Sequence, residues 1–349
     1  METNWIQAIP KVELHRHLEG SIRPATVWDE AQRQRLTLPA NSLEEVRPYL
    51  QYTPGDERSL IYFLTKFQWI RRILTNKETV ERVVYESLED AHNSNTIYAE
   101  LRFNPSGMFQ MGMTEEDIAD GLRCGIRRAY ESFGIRASLI CGIMRDRDMD
   151  TARRVVNFAQ KYAGDLIVGM DLFSDETYPS APFADLFAQT KAAGLHLTIH
   201  AGEACNPARG AKNIEDAVLM GTERIGHGVR ITEDPHVVEL VRDRGVLLEM
   251  CPTSNVQTGV TPSLEDHPLP ALFRSGVAAC INTDDPEVSA TTLTNEYIFA
   301  NERMGLSPRE LKQMVHLAGD YIFDDSYRPQ LKAALQAAIP LDTVGNEEK

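Results

Sequence analysis

The chain has 349 residues, 42% of them hydrophobic and 25% charged, a globular composition long enough for one large core. Its formal net charge of −15 argues against a surface built to hold DNA, RNA or another polyanion, because such surfaces need Lys and Arg to displace counterions. A small neutral or cationic substrate fits better, and no run reaches the ~18 apolar residues of a membrane span.

Cys124, Cys141, Cys205, Cys251 and Cys280 are odd in number, widely spaced and without a Cys-x-x-Cys pair, so they read as reduced thiols. Met1–Ala8 lacks the charged and apolar regions of a signal peptide. The expectation is a cytoplasmic protein.

In chain order, Val12–Leu18 alternates apolar and polar residues as a half-buried strand does, which puts His15 and His17 on one side. Gly20 allows a turn, Pro24 opens a helix over Ala25–Arg35, and Leu36–Gly55 is a proline-punctuated connection. Ser59–Leu74 has a helical apolar stripe, Leu60, Phe63, Leu64 and Phe67, which is either core or a lid over a flat aromatic substrate. From residue 78 helices and strands alternate: Thr79–Ser94 then Ile97–Phe103, Glu115–Phe133 then Ala137–Ile143, Thr151–Ala163 then Leu166–Leu172. Phe183–Ala193 leads to Leu195–His200, Ile214–Met220 to Arg224–His227, Pro235–Arg244 to Val246–Cys251, and Leu269–Ser275 to Val277–Asn282. With the first strand this predicts an α/β fold of eight strands, a (β/α)8 barrel with extra helices after strand 1 and at the C-terminus. An open doubly wound sheet is the competing arrangement, but no Gly-x-Gly-x-x-Gly follows any strand. A single catalytic domain is expected, with a core over residues 10–323, a helical extension over 293–340 and a frayed Thr343–Lys349.

Active sites of such barrels gather at the C-terminal ends of the strands. His15 and His17 end the first strand, Asp171 the fourth, His200 the fifth with Glu203 just beyond, His227 the sixth, and Asp284-Asp285 the eighth. Glu100 and Arg102, both in the second strand, read as an internal ion pair bracing the barrel. His15, His17, His200 and Asp284 together can surround one zinc with a place left for water, whose pKa zinc lowers from 15.7 toward ~7. His227, between two glycines, is placed to orient or deprotonate that water, and Glu203 to give a proton to a ring nitrogen.

The motifs ELHRHLEGSIRP, DLFSDE, HAGE, RIGHG, CPTSNVQTG and NTDDP, in that order, resemble the adenosine deaminase family from Pro10 to about Phe323. That resemblance implies one zinc per chain and hydrolytic deamination of a 6-aminopurine, adenosine or 2′-deoxyadenosine giving inosine or 2′-deoxyinosine and ammonia. It implies His15, His17, His200 and Asp284 as zinc ligands, Glu203 as the donor to purine N1 and His227 as the base that also positions the oxygen. Asp285 matches the group that bonds N7, Asp171 a carboxylate orienting a metal-binding histidine, and Leu60, Phe63 and Phe67 the apolar gate over the purine.

Two positions depart from the family pattern. Glu19 stands where an aspartate usually contacts the ribose 5′-hydroxyl, and Ser174 where a glycine N–H approaches purine N3. The His-Leu-Glu-Gly form also resembles relatives acting on adenine or on aminodeoxyfutalosine of the menaquinone pathway. A catalytically silent nucleoside-binding protein is the alternative from another class. A 5′-phosphate would ask for Arg or Lys near Glu19, and Arg16 and Arg23 are the candidates by sequence. The His-x-Glu and Pro-Cys-x-x-Cys signature of polynucleotide deaminases is absent.

Overall fold

The computed structural model describes residues 4–203 and 209–341. Cys205 and the Thr343–Lys349 tail lie outside the described residues. Eight strands form one parallel sheet in sequential order: β1 Lys11–His17, β2 Thr96–Phe103, β3 Arg136–Met144, β4 Ile167–Phe173, β5 His196–Ala201, β6 Arg224–His227, β7 Leu247–Met250 and β8 Ala279–Ile281. The last strand returns to the first. The His17 N–H donates to the Asp284 carbonyl at 2.8 Å and the Asp284 N–H to the His15 carbonyl at 3.0 Å. Just below, Asn282 Oδ1 accepts the N–H groups of Leu14 and His15 at 2.8 and 3.1 Å. This seam closes the expected (β/α)8 barrel.

Barrel interiors are usually filled with Val, Ile and Leu. This one carries a run of charge. Glu100 pairs with Arg224 at 2.6 Å and Arg224 with Glu249 at 2.7 Å; Arg102 then joins Glu249 at 2.7 Å and Asp171 at 2.9 Å, all fully buried. Glu100 and Arg102 thus brace the barrel as expected, but through partners across it and not through each other. Opposite charges at such distances are the condition under which ionised groups are tolerated in a dry interior.

The expected Ser59–Leu74 helix is broken. It runs as Leu60–Leu64, Phe67–Ile70 and a 3-10 turn at Arg71–Ile73. Thr65 and Lys66 make i→i−3 hydrogen bonds to Tyr62 and Phe63, while the Lys66 ammonium reaches the Pro48 carbonyl at 2.7 Å and the Asp56 carboxylate at 2.6 Å. That anchor tightens the turn and swings the apolar stripe over the barrel mouth. The C-terminal region consists of three helices, Leu293–Glu302, Pro308–Asp320 and Arg328–Ala338. Short helices absent from the sequence reading start right after strands, at Pro105–Gln110 and Pro252–Gln257, each with proline in its first turn.

Candidate active site

The strand ends bring the expected polar residues to one point. Asp284 Oδ1 lies 3.1 Å from His15 Nε2 and 3.3 Å from His17 Nε2, and His17 Nε2 is 3.1 Å from His200 Nε2. Such ring nitrogens, facing each other with a carboxylate oxygen between, fit a shared cation. Among the described residues, ligand atoms of His15, His200, His227 and Asp284 also fall within 4.8 Å of one another. Five side chains therefore compete for four positions. His15 and His17 face Oδ1 of Asp284, whereas His227 Nε2 is 4.0 Å from Oδ2 and 3.3 Å from Glu203 Oε2. We therefore group His17 with the metal donors and His227 with Glu203. The donor set of imidazoles and one carboxylate suits zinc.

Backbone geometry supplies this convergence. His227 (φ 65°), Asp284 (φ 64°) and Ser174 (φ 83°) adopt left-handed conformations that non-glycine residues seldom take, each at a strand end. Gly226 is required here, since a Cβ would lie 2.8 Å from His15 Cε1.

Two of these rings and the carboxylate are oriented from behind. His15 Nδ1 is 2.7 Å from Glu249 Oε2, His200 Nδ1 is 3.1 Å from Asp171 Oδ1, and Ser254 Oγ donates to Asp284 Oδ2 at 2.7 Å. Burial pushes the His17 imidazole down to about 3 and lowers that of His200, leaving neutral nitrogens of the kind a metal binds. Burial favours a neutral Asp171, but His200 and Arg102 outweigh it and hold the carboxyl below its usual range. In Asp284, His227 and the hydrogen-bonding His15 and His17 overcome the same burial. Asp285 goes the other way: burial, Asp284 and Glu203 all push its carboxyl well up, and its Oδ1 is buried without a partner. A carboxyl kept protonated can donate, as an acceptor nitrogen such as purine N7 requires.

The cavity above these groups offers about 480 Å³ of atom-free space, its mouth included. Leu60, Phe63 and Phe67 cover one side, and Phe173 packs edge-on to His17 at 5.2 Å on the other. Glu19 and Ser174 also line it. Burial raises the Glu19 carboxyl, and its Oε1 accepts the Asn104 N–H at 2.9 Å.

Three contributors, Glu176, Glu249 and His267, escaped sequence reading, and a fourth, Asn255, is legible only as one of the polar residues that follow the seventh strand. Glu176, inside the DLFSDE motif, accepts the Gly202 and Glu203 N–H groups at 2.9 Å each and so fixes the turn that carries Glu203. Glu249 sits within an apolar run, and nothing local betrays its partners. Asn255 and His267 form a relay to His227. The Leu269 N–H can only donate, so His267 Nδ1 accepts it (3.2 Å). Burial pushes His267 down to about 3, so the ring is neutral and its Nε2–H donates to Asn255 Oδ1 at 3.1 Å. Asn255 must then present Nδ2 to His227 Nδ1, at 2.9 Å. Neutral His227 therefore carries its proton on Nε2, aimed at Glu203 and Asp284.

Comparison with known proteins gives this geometry its relatives. The family model described as adenosine deaminase matches residues 10–327. The adenosine deaminase of Enterococcus faecalis is 35% identical over 330 residues, 93% of this chain and 96% of that protein. The chain belongs to the adenosine deaminase family. A second relative, from Serratia proteamaculans, is 40% identical over 312 residues, 87% of this chain and 91% of its own. Among solved structures, an adenine deaminase from Arthrobacter aurescens superposes with a TM-score of 0.86 at 28% identity, covering 94% of this chain and 98% of its own. An amidohydrolase from Burkholderia ambifaria with bound zinc does so at 0.85 and 27%, covering 96% and 92%. The N6-methyl-AMP deaminase of Arabidopsis thaliana scores 0.84 at 28%, covering 97% and 99%. As expected of this family, the chain is a hydrolase on a TIM-type barrel that fits purine metabolism.

Proposed function

We propose that this chain binds one zinc ion and hydrolyses adenosine and 2′-deoxyadenosine to inosine and 2′-deoxyinosine, releasing ammonia. The observation that carries the reading is the convergence of His15, His17, His200 and Asp284 at the barrel mouth, with Glu203, His227 and Asp285 facing the same cavity. His15, His17, His200 and Asp284 would hold the zinc, which when bound supplies an acidified water. Glu203 gives a proton to purine N1 while the water oxygen adds to C6, the water returning one proton to the Glu203 carboxylate; as the C6–N bond breaks and the C6 carbonyl forms, the remaining hydroxyl proton goes to the departing amine, which leaves as ammonia. Of the two roles expected for His227, orienting and deprotonating, the relay behind it favours orienting, because Nε2–H is a donor to the attacking oxygen. Asp285 donates to N7, and Leu60, Phe63 and Phe67 cover the ring. Asp171 and Glu249 keep His200 and His15 turned toward the metal.

The described cysteines are free thiols, and no helix among the described residues is long and apolar enough to cross a membrane; both fit the cytoplasm we propose. A silent binding protein would have no use for Glu203 beside His227. Ammonia release by the zinc-loaded protein on adenosine and 2′-deoxyadenosine tests the reading. Glu203→Gln should lower kcat by about 10²–10⁴ with nucleoside binding kept, and a zinc chelator should abolish turnover until zinc is restored. Full turnover by Glu203→Gln would overturn it.

A further inference from the structure

Glu19, Arg71, Phe173 and Ser174 line the active-site cavity together with the polar groups at the strand ends. Among the described residues around it, Phe173 is the one apolar side chain that a barrel strand supplies, since Leu60, Phe63, Leu64 and Phe67 belong to the cover. Strand alternation accounts for its direction. Asp171 and Phe173 stand two positions apart on β4 and point the same way. Asp171 lies behind the His200 ring, 3.1 Å from Nδ1, so Phe173 enters one layer nearer the mouth.

The ring is tightly seated there. It stands edge-on to His17 with centroids 5.2 Å apart and tilted against His200 at 5.7 Å. A bare position on the neighbouring strand makes room for it, because a Cβ on Gly142 of β3 would collide with Phe173 Cε1. The ring therefore rests against the Gly142 backbone and has no space behind it. The Arg145 N–H donates to the Phe173 carbonyl at 3.0 Å, and Ser174 then turns the chain with φ 83°, which holds the backbone that aims the ring.

Its place in the barrel matches one edge of the purine. The contacts proposed above run backward through the strand order: Asp285, after β8, meets N7; His227, ending β6, faces C6; Glu203, after β5, meets N1. The next atom along that edge is C2. The next strand is β4, which ends in Phe173.

We propose that Phe173 is the specificity residue for the C2 edge of the purine, admitting a hydrogen there and excluding an amino group. The site then takes adenosine and rejects 2,6-diaminopurine nucleosides. This rests on the reading of the chain as a 6-aminopurine nucleoside deaminase and narrows the class of purine that the same site accepts. An added heavy atom would press on a ring that cannot retreat, and its N–H groups would face hydrocarbon where water had bonded them.

The test uses zinc-loaded enzyme with adenosine and with 2,6-diaminopurine riboside, whose deamination gives guanosine and ammonia. The native chain should prefer adenosine in kcat/KM by about 10- to 100-fold, the range of one overpacked contact. Phe173→Ala should cut that preference by about fivefold or more. The preference is a ratio within each variant, so losses of fold or zinc cancel, and comparing it between variants removes the electronic effect of the amino group. The double variant Gly142→Ala, Phe173→Ala refills the cradle and should relax the preference in the same way. Inosine and guanosine, the 6-oxo products, compared by calorimetry, give the preference without turnover. A native preference under about threefold, or one that both variants leave unchanged, overturns the proposal; unchanged preference with weaker zinc binding would make the ring a prop for His17 and His200 only. No turnover of either nucleoside, with inosine favoured over guanosine by the native chain and not by the variants, overturns the deaminase reading and leaves the C2 wall standing.

Discussion

Replacing Asn255 with aspartate reverses the relay behind His227. In the native chain Asn255 Nδ2 donates to His227 Nδ1 across 2.9 Å, its direction set by the Leu269 N–H through His267. A proton on Nδ1 would set two hydrogens against each other there, forfeiting one buried hydrogen bond and orphaning a donor, about 1–3 kcal/mol. The Nε2–H form is therefore favoured by about 5- to 150-fold. A carboxylate at 255 accepts only, draws the proton to Nδ1 and leaves Nε2 an acceptor facing Glu203 Oε2 at 3.3 Å. We expect kcat on adenosine to fall about 10- to 100-fold, with KM within about threefold, if one hydrogen bond to the attacking oxygen is lost. Nitrogen spectra of histidine-labelled protein should show the protonated and bare nitrogens of His227 exchanged. Native kcat together with unchanged nitrogen resonances in Asn255→Asp would refute the relay.

Two further outcomes follow from buried charge. Glu249→Gln leaves Arg102 and Arg224 short of an anion and weakens the hold on His15, so urea unfolding should show a loss of about 3–5 kcal/mol. Zinc affinity should drop about 10- to 100-fold; a stability loss under about 1 kcal/mol would mean that the interior network carries little weight. Burial pushes Glu296 up to about 7, even though it accepts hydrogen bonds from the Thr253 N–H and the Thr291 hydroxyl. The folded state keeps this proton where the unfolded chain has lost it. Stability from this group is therefore full below about 4.5, falls by about 3 kcal/mol as pH rises to about 7, then levels. Subtracting Glu296→Gln from the native curve should leave that slope, and parallel curves between pH 5 and 8 would contradict it.

The order of strands and the residues at their ends were legible because a strand that ends in a histidine or aspartate announces both its period and its exit. Periodicity reports which way a residue faces, not what lies across the barrel. Glu100 and Arg102 were therefore assigned to each other, although their partners come from β6, β7 and β4. Arg71 was hidden for a related reason. It falls in a stretch with a helical pattern, and only the break at Thr65–Lys66 turns that stretch across the mouth and brings a guanidinium beside Glu19. His267 reads as an ordinary turn residue before proline until the Leu269 N–H shows which nitrogen is bare.

The closing seam has a consequence for how the molecule is made. His15 and Asp284 stand 269 residues apart in sequence, and the carboxylate reaches the histidines only when β8 has docked on β1. A ribosome delivers His15 and His17 first, His200 later and Asp284 last of the four, so the nascent chain carries an incomplete site until β8 and the turn after it have been made. Contacts of such long range form late, after the loop between them has been ordered. The two halves of the site thus meet only when the ring has shut.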